Sequence, residues 1–284
     1  MKHALLGLIA ETSIHAGANK AVGVIDLPIM REAHSDWPCI FGSAVKGALR
    51  AKAEQENHAW IADVFGPSDT THAGAVAVGD ARLLLMPVRS LSTHFKWVTC
   101  PALIQRAIQD AKRLNMEGVD VDFPKLENEQ ALTFNMKDNL FLEEFYFKAE
   151  KYDLDKLIQW LGQFVGGDFE ERLKNQLVIV SDDVFSSIAR YSTPVTPHIA
   201  IDNTNKTVKD GHLWYEETLS PETVLYVTLA AHPSRKDNTQ FSAEQILAAV
   251  LSLFPDNKPY LQLGGNETVG MGWCRVKQVE KVGV

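Results

Sequence analysis

Apolar and polar positions divide this chain into short runs with the period of a strand and longer runs with the period of a helix. Residues 3–11 are almost continuously apolar over the length of one strand, the pattern of a strand buried on both faces. Val45, Ala48 and Leu49 recur at helical spacing in a stretch running from Ser43, a candidate N-cap, to Ala59 and Trp60. Residues 74–85 read as a second strand. The same succession returns late in the chain. Residues 223–229 alternate as a strand, and Ser242-Ala243-Glu244-Gln245 is a capping box that opens an apolar helix over 246–254. A strand at 260–263 then enters a glycine loop, and 273–279 predict a last strand.

Two strand–helix–strand units at opposite ends predict an α+β fold with a modified ferredoxin-like (RRM-like) core. On this reading residues 1–284 form a single domain, with the core drawn from about 1–90 and 220–284. Residues 91–189 form a large inserted region, with a helical piece at 102–114 and an acidic, aromatic segment around 141–152. A β-hairpin follows at about 190–216. Its turn is marked by Asp202-Asn203-Thr204-Asn205-Lys206, between strand-like 195–201 and 208–214.

Composition narrows the classes. Hydrophobic content of 45% and charged content of 23% are those of a globular protein, and no run approaches the ~20 apolar residues of a membrane span. No signal peptide is expected. Cys39, Cys100 and Cys274 fit neither a zinc pattern nor a disulfide framework, which points to a reducing cytoplasm. The net charge of -8 weighs against a protein that coats nucleic acid with its whole surface, because such affinity comes mostly from Lys and Arg on phosphates. A local groove is still allowed. Arg31, Lys46, Arg50 and Lys52 lie close in sequence, while acidic residues crowd into 117–155.

Four features carry candidate chemistry. In Gly42-Ser43-Ala44-Val45-Lys46-Gly47-Ala48-Leu49-Arg50, Lys46 and Arg50 follow Ser43 by three and seven positions, so the three share a helix face. A helix N-terminus with two cations suits a phosphate. It is not a P-loop, since the lysine precedes its glycine; the alternative is a capped helix with a solvated basic face. Gly264, Gly265, Gly270 and Gly272, with Thr268 among them, permit close approach of backbone to an anion, or else form a flexible turn. Asp26 precedes Leu27-Pro28, so its backbone is extended and its carboxylate exposed. There it can ligate a metal or orient or deprotonate a ribose 2′-hydroxyl; the alternative is a turn-forming Asp bonded to its own backbone. His15, on a neighbouring loop, can exchange a proton near neutrality or simply pack. Finally, the hairpin interleaves cations and aromatics at Arg190, Tyr191, His198, Lys206, Lys209 and Trp214, suiting contact with bases or backbone. Glu216 and Glu217 follow as spare carboxylates.

Taken together these segments resemble the RAMP superfamily of CRISPR-associated RNA-binding proteins. Within it the chain is most similar to the repeated backbone subunit of type III-B (Cmr) effector complexes. The resemblance rests on His15-Ala16-Gly17, Ile25-Asp26-Leu27-Pro28, the 42–50 helix start, Pro87-Val88-Arg89-Ser90-Leu91 with Trp97-Val98-Thr99, and the 263–272 glycine loop. It implies copies of the chain stacked along a CRISPR RNA together with other Cmr subunits. Arg31, Ser43, Lys46, Arg50, Gly264, Gly265, Thr268 and Gly270 would hold the guide. A thumb bearing Arg190, Lys206 and Trp214 would cross the guide–target duplex. Asp26, with a divalent Mg or Mn ion and with His15 as a further candidate, would cut the target RNA at regular intervals. The alternative is a guide-RNA scaffold that does not cut. A nucleotide-binding enzyme using Ser43 and Lys46 is a third reading.

Overall fold

The computed structural model describes residues 1–18, 23–69, 71–116, 118–166, 169–236 and 241–279. The first unit is β1 (Lys2–Ala10), β2 (Cys39–Ile40), α1 (Gly42–Gln55), α2 (Ile61–Phe65), β3 (Val76–Val78) and β4 (Ala81–Arg89). The middle comprises β5 (Phe95–Thr99), α3 (Pro101–Arg113), β6 (Gln130–Thr133), β7 (Asn139–Leu142), β8 (Phe145–Lys151), α4 (Asp155–Val165), α5 (Phe169–Gln176), β9 (Leu177–Ile179) and α6 (Asp182–Tyr191). The hairpin is β10 (Val195–Ile201) and β11 (Val208–Glu217). The last unit is β12 (Val224–Ala231), α7 (Ala243–Leu251), β13 (Tyr260–Gln262) and β14 (Trp273–Gln278).

Among the described residues one sheet runs in the order β13-β14-β1-β12-β4-β5-β9-β6-β8-β7, with β2 and β3 attached to its middle. Within it β14, β1, β12 and β4, from the two ends of the chain, are antiparallel neighbours. The continuous apolar run of β1 has a direct cause. Leu6 and Leu8 face Val45 and Leu49 of α1 and Ile246 and Val250 of α7. Leu5 and Ile9 face the opposite core, with Ile104 of α3 and Leu157 and Phe164 of α4. The strand is therefore covered on both sides. Residues 91–189 continue the same sheet beyond β4, since β5 pairs with β4 and β9 with β5. The acidic stretch 117–155 holds β6–β8, at the end of the sheet away from β13 and β14.

Two predicted elements are cut differently. The expected strand at 74–85 breaks into β3 and β4 at Gly79-Asp80, where the Asp80 carboxylate turns to accept the Gly42 N–H at 2.7 Å. The expected helix to Trp60 stops at Gln55, because Asn57 enters the left-handed region at φ 57°. The hairpin forms as read from its turn, closed by Asp202 N–H on the Thr207 carbonyl at 2.8 Å. Val195, Ile199, Ile201 and Leu213 lie exposed along it, so it projects from the body without a core of its own. No helix among the described residues is long and apolar enough to cross a membrane.

Candidate functional site

The base of β11 organises the site. The exposed Asp26 carboxylate accepts from the Tyr215 amide through Oδ2 at 2.8 Å. The next residue continues the pairing: Leu27 N–H donates to the Tyr215 carbonyl at 3.0 Å, and Glu217 N–H donates to the Leu27 carbonyl at 2.9 Å. His15 Nδ1 then bonds the Glu217 carbonyl at 2.8 Å. A carbonyl only accepts, so Nδ1 carries the proton and Nε2 is the free acceptor of the neutral ring. Residues 215 and 217 direct their backbone groups to the same edge of the strand. Asp26 and His15 thus sit along one edge, separated by about 7 Å of strand at 3.3 Å per residue. Asp26 is not a turn residue bonded to its own backbone.

Buried carboxylates brace this edge. Glu217 accepts from Ile29 N–H at 3.0 Å, from Thr193 Oγ1 at 2.6 Å and from Arg31 Nη2 at 2.5 Å. Arg31 also donates to the carbonyls of Asp36 and Ala189, each at 2.9 Å. Its guanidinium is therefore spent inside the protein, which corrects its assignment to RNA. Glu216 accepts from Asn266 Nδ2 at 2.6 Å, tying the hairpin base to the glycine loop. These carboxylates are consumed by structure rather than spare.

The glycine loop is shaped by the His15 loop beneath it. Gly265 N–H donates to the His15 carbonyl and Gly272 N–H to the Ser13 carbonyl, both at 2.8 Å. At Gly264, with φ +84°, a Cβ would lie 2.3 Å from the His15 carbonyl oxygen, so this glycine is demanded by the fold itself. Gly265, Thr268 and Gly270 remain exposed on the loop surface.

Helix α1 departs from expectation at its start. Phe41 is the N-cap and Ser43 caps nothing. The Gly42 amide is taken by Asp80, and those of Ala44 and Val45 reach the Phe41 carbonyl, leaving the Ser43 amide as the unclaimed donor of the first turn. Arg50 donates to Glu54 Oε1 at 2.7 Å and to the Gly66 carbonyl at 2.9 Å, tying α1 to the C-terminal end of α2. Lys46 has no hydrogen-bond or ion-pair partner among the described residues. Beside it Gly47 is exposed, and a Cβ there would meet nothing within 4 Å. A helix-interior glycine costs about 1 kcal/mol relative to Ala, and no packing requires this one. The face of Ser43, Lys46 and Gly47 is thus left open, as a surface for a closely approaching ligand. Helix α1 also borders β13 and the glycine loop across a shared cleft containing Ala48, Gln262 and Glu267.

On the hairpin, Trp214 stacks on His198 with ring centroids 5.5 Å apart and planes at 14°, and Lys206 is exposed at the turn. Arg190 does not belong to it. It closes α6 and pairs with Asp36 at 2.7 Å.

Comparison with known proteins shows the family. The RAMP superfamily profile matches residues 8–275. The chain is 33% identical to the CRISPR system Cmr endoribonuclease Cmr4 of Pyrococcus furiosus, over 97% of this chain and 95% of that protein. The chain belongs to the RAMP superfamily. A second relative, the Cmr4 subunit of Saccharolobus solfataricus, is 23% identical over 93% of this chain and 92% of its own length. Among solved structures, the oligomeric Cmr4 of Pyrococcus furiosus superposes with a TM-score of 0.78 at 30% identity, covering all of both chains. A chain of the type III-B Cmr-beta complex bound to cognate target RNA shares the fold, with a TM-score of 0.76 at 22% identity over 98% of each chain.

For this RAMP protein the sequence had pointed to Asp26, His15, Lys46 and the glycine loop. The structure joins His15 and Asp26 through β11, and joins α1 to the loop through the shared cleft. Asn266 and the Tyr215 amide were not legible. An αL asparagine and a backbone N–H leave no mark in a sequence until their partners are known. Among the described residues no three His, Cys, Asp or Glu side chains converge as a metal site. Asp26 keeps one free carboxylate oxygen. Such a hard donor fits Mg²⁺ or Mn²⁺, which take one or two carboxylates and complete their shell with substrate phosphates and water.

Proposed function

We propose that this chain is the repeated RNA-binding subunit of a type III-B (Cmr) effector, and that Asp26 carries its cleavage of target RNA. One observation supports this above the others. The exposed Asp26 carboxylate is anchored by Tyr215 at the root of a projecting hairpin, and Glu216 and Asn266 tie that root to the glycine loop. The similarity to the Cmr endoribonuclease of Pyrococcus furiosus supports an RNA-cleaving role, and the likeness to its oligomer supports self-association. The strand order β14-β1-β12-β4 with α1 and α7 supports reading the core as ferredoxin-like. Three buried, unpaired cysteines are in keeping with a reducing cytoplasm.

In the proposed mechanism the guide reads sequence by base pairing, and the protein holds backbone and shape. Lys46, with the Ser43 amide and the exposed Gly265–Gly270 surface, receives the guide phosphates. The acidic stretch lies at the far end of the sheet, so a net charge of -8 does not oppose this contact. The hairpin, with Lys206 and the His198–Trp214 stack, splays one target nucleotide. Its 2′-hydroxyl then aligns in line with the adjacent phosphate, and such orientation is worth several kcal/mol. Asp26 takes the hydroxyl proton, the 2′-oxygen bonds phosphorus to form a 2′,3′-cyclic phosphate, and the P–O5′ bond breaks as the leaving 5′-oxygen takes a proton from solvent water. His15, held to the same strand through Nδ1, orders the ribose or relays the proton through its other ring nitrogen. In the alternative role, the free Asp26 oxygen would hold a divalent ion that neutralises charge on the phosphate, and a water would take the hydroxyl proton.

The test is the assembled complex, with guide, partner subunits and a complementary target. Fragments at regular spacing are expected from the wild type. A single 2′-deoxy substitution at one scissile nucleotide should remove that cut alone. Uncut target bound at full affinity by the wild type would favour the non-cutting scaffold.

A further inference from the structure

We propose that the cleft between α1 and the β13–β14 edge is a stacking slot for one nucleobase of the bound RNA, with Trp273 as its platform and Tyr260 beside it. This rests on the reading of α1 and the glycine loop as an RNA groove. The cleft measures about 260 Å³, and its lining includes Ala48 and Ala51 of α1 together with Tyr260, Gln262, Glu267 and Trp273. That lies just below the ~300 Å³ at which pockets for drug-sized ligands begin, so it suits one ring system rather than a nucleotide or a peptide.

The two aromatics have no structural employment. Trp273 is 39% exposed and Tyr260 41% exposed, at the edge of an otherwise well-covered sheet. Neither makes a ring contact, and neither the indole N–H nor the phenol hydroxyl has a hydrogen-bond partner among the described residues. Gln262 pairs with Trp273 and Tyr260 with Arg275, so Tyr260 and Trp273 are diagonal neighbours on one face of the strand pair, roughly 7–8 Å apart. An exposed aromatic edge invites misassembly unless something covers it.

The charges select a base over a phosphate. Lys52 and Lys258 both lie in the cleft, but each is spent on Glu56, at 3.1 and 3.0 Å. Glu267 adds a carboxylate with no ion-pair partner among the described residues. Two ammonium and two carboxylate groups leave the cleft without the net positive charge a phosphate needs, whereas the uncharged face of a base needs none. The backbone itself passes over Lys46 and Gly47 on the adjoining exposed face of α1, one nucleotide's reach away.

The test uses the full-length chain and an end-labelled single-stranded oligoadenylate, with binding followed by anisotropy across a salt series. Trp273→Ala and Tyr260→Ala should each weaken binding about five- to a hundredfold, leaving the slope of log affinity against log salt unchanged. Trp273→Phe should restore most of the loss. The same ribose–phosphate strand without bases should bind wild type and Trp273→Ala alike. Lys46→Ala is the control for the groove: it should lower both affinity and slope, by roughly 0.7 for one lost phosphate contact. If Lys46→Ala weakens binding while both aromatic variants bind as wild type, the slot is refuted and the groove stands. If Lys46→Ala also changes nothing, the groove reading is what fails. Trp273→Ala impairing self-association at unchanged RNA affinity would make the edge a protein contact and overturn the proposal. Thermal melting of each variant separates these outcomes from loss of fold.

Discussion

Asp26 and Tyr215 lie 189 residues apart in sequence, and a 2.8 Å hydrogen bond from the Tyr215 amide to the Asp26 carboxylate joins them. A loop acid is thereby held against the root of the hairpin, with one oxygen anchored and one free. Asp26→Asn can keep the anchoring acceptor while losing the charge, and Asp26→Ala loses both. Both variants should reduce target cleavage by about 10²- to 10⁴-fold, the range for loss of a general base. Binding of guide and target should stay within about twofold of wild type. Single-turnover cleavage and filter binding on the assembled complex measure the two quantities, and cutting by Asp26→Asn at the normal rate would remove Asp26 from the chemistry.

Gly47 separates stability from function. The open space around it means that Gly47→Ala creates no clash and gains helix propensity. The variant should be more stable by about 0.5–1 kcal/mol. If RNA backbone approaches there, the added methyl should weaken guide binding several-fold. Denaturant titration and an RNA-binding isotherm on the same preparation give both numbers; a stabilised protein with undiminished affinity would place the RNA elsewhere.

Glu56 supplies a pH signature. Burial alone would raise its pKa, but hydrogen bonds from Lys258, Lys52 and His58 outweigh this and pull it down from 4.5 to about 2. A carboxyl depressed in the folded state stabilises the protein above its unfolded value, and the stabilisation fades as pH falls through the folded value. Glu56→Gln should therefore melt below wild type at pH 7, and the gap should close between about pH 4.5 and 2. Melting curves across that range check it; a gap that persists at pH 2 would mean that packing rather than charge ties α1 to Lys258.

The cysteines should be silent. Burial pushes Cys39 and Cys274 up to about 12 and raises Cys100 as well, with nearby Glu32 and Asp80 adding to the effect at Cys39. Thiolate is the reactive form, so a disulfide-exchange reagent at pH 8 should label none of the three in the native chain and all three after unfolding. Rapid native labelling would show that these segments open locally.

Local pattern carried much of the fold. Continuous apolar character marked β1, the Ser242–Gln245 box marked α7, and the polar turn at 202–206 marked the hairpin, because each signal is written within a few neighbouring residues. The same reasoning joined β3 to β4, since nothing local announces that Asp80 must turn to meet Gly42. For the site, residue type and spacing singled out Asp26, His15 and Lys46. They gave no sign of the internal bonds of Arg31 and Arg50, because a cation's partners depend on which carboxylates and carbonyls reach it. Glu217 is 186 residues from Arg31, and Gly66 lies beyond the end of α1.

The sequence by itself determined most elements at the two ends of the chain, the hairpin and the inventory of groups able to handle RNA, since period, capping and side-chain chemistry are local properties. Only the tertiary structure decided which of those groups remain free. Pairing β11 with the Asp26 loop and the His15 loop left one carboxylate oxygen uncommitted and fixed the His15 ring to the same strand. The same folding spent two arginines and two glutamates internally. The bonds that set the Asp26, His15 and Arg31 positions span 189, 202 and 186 residues, and no local window contains both partners.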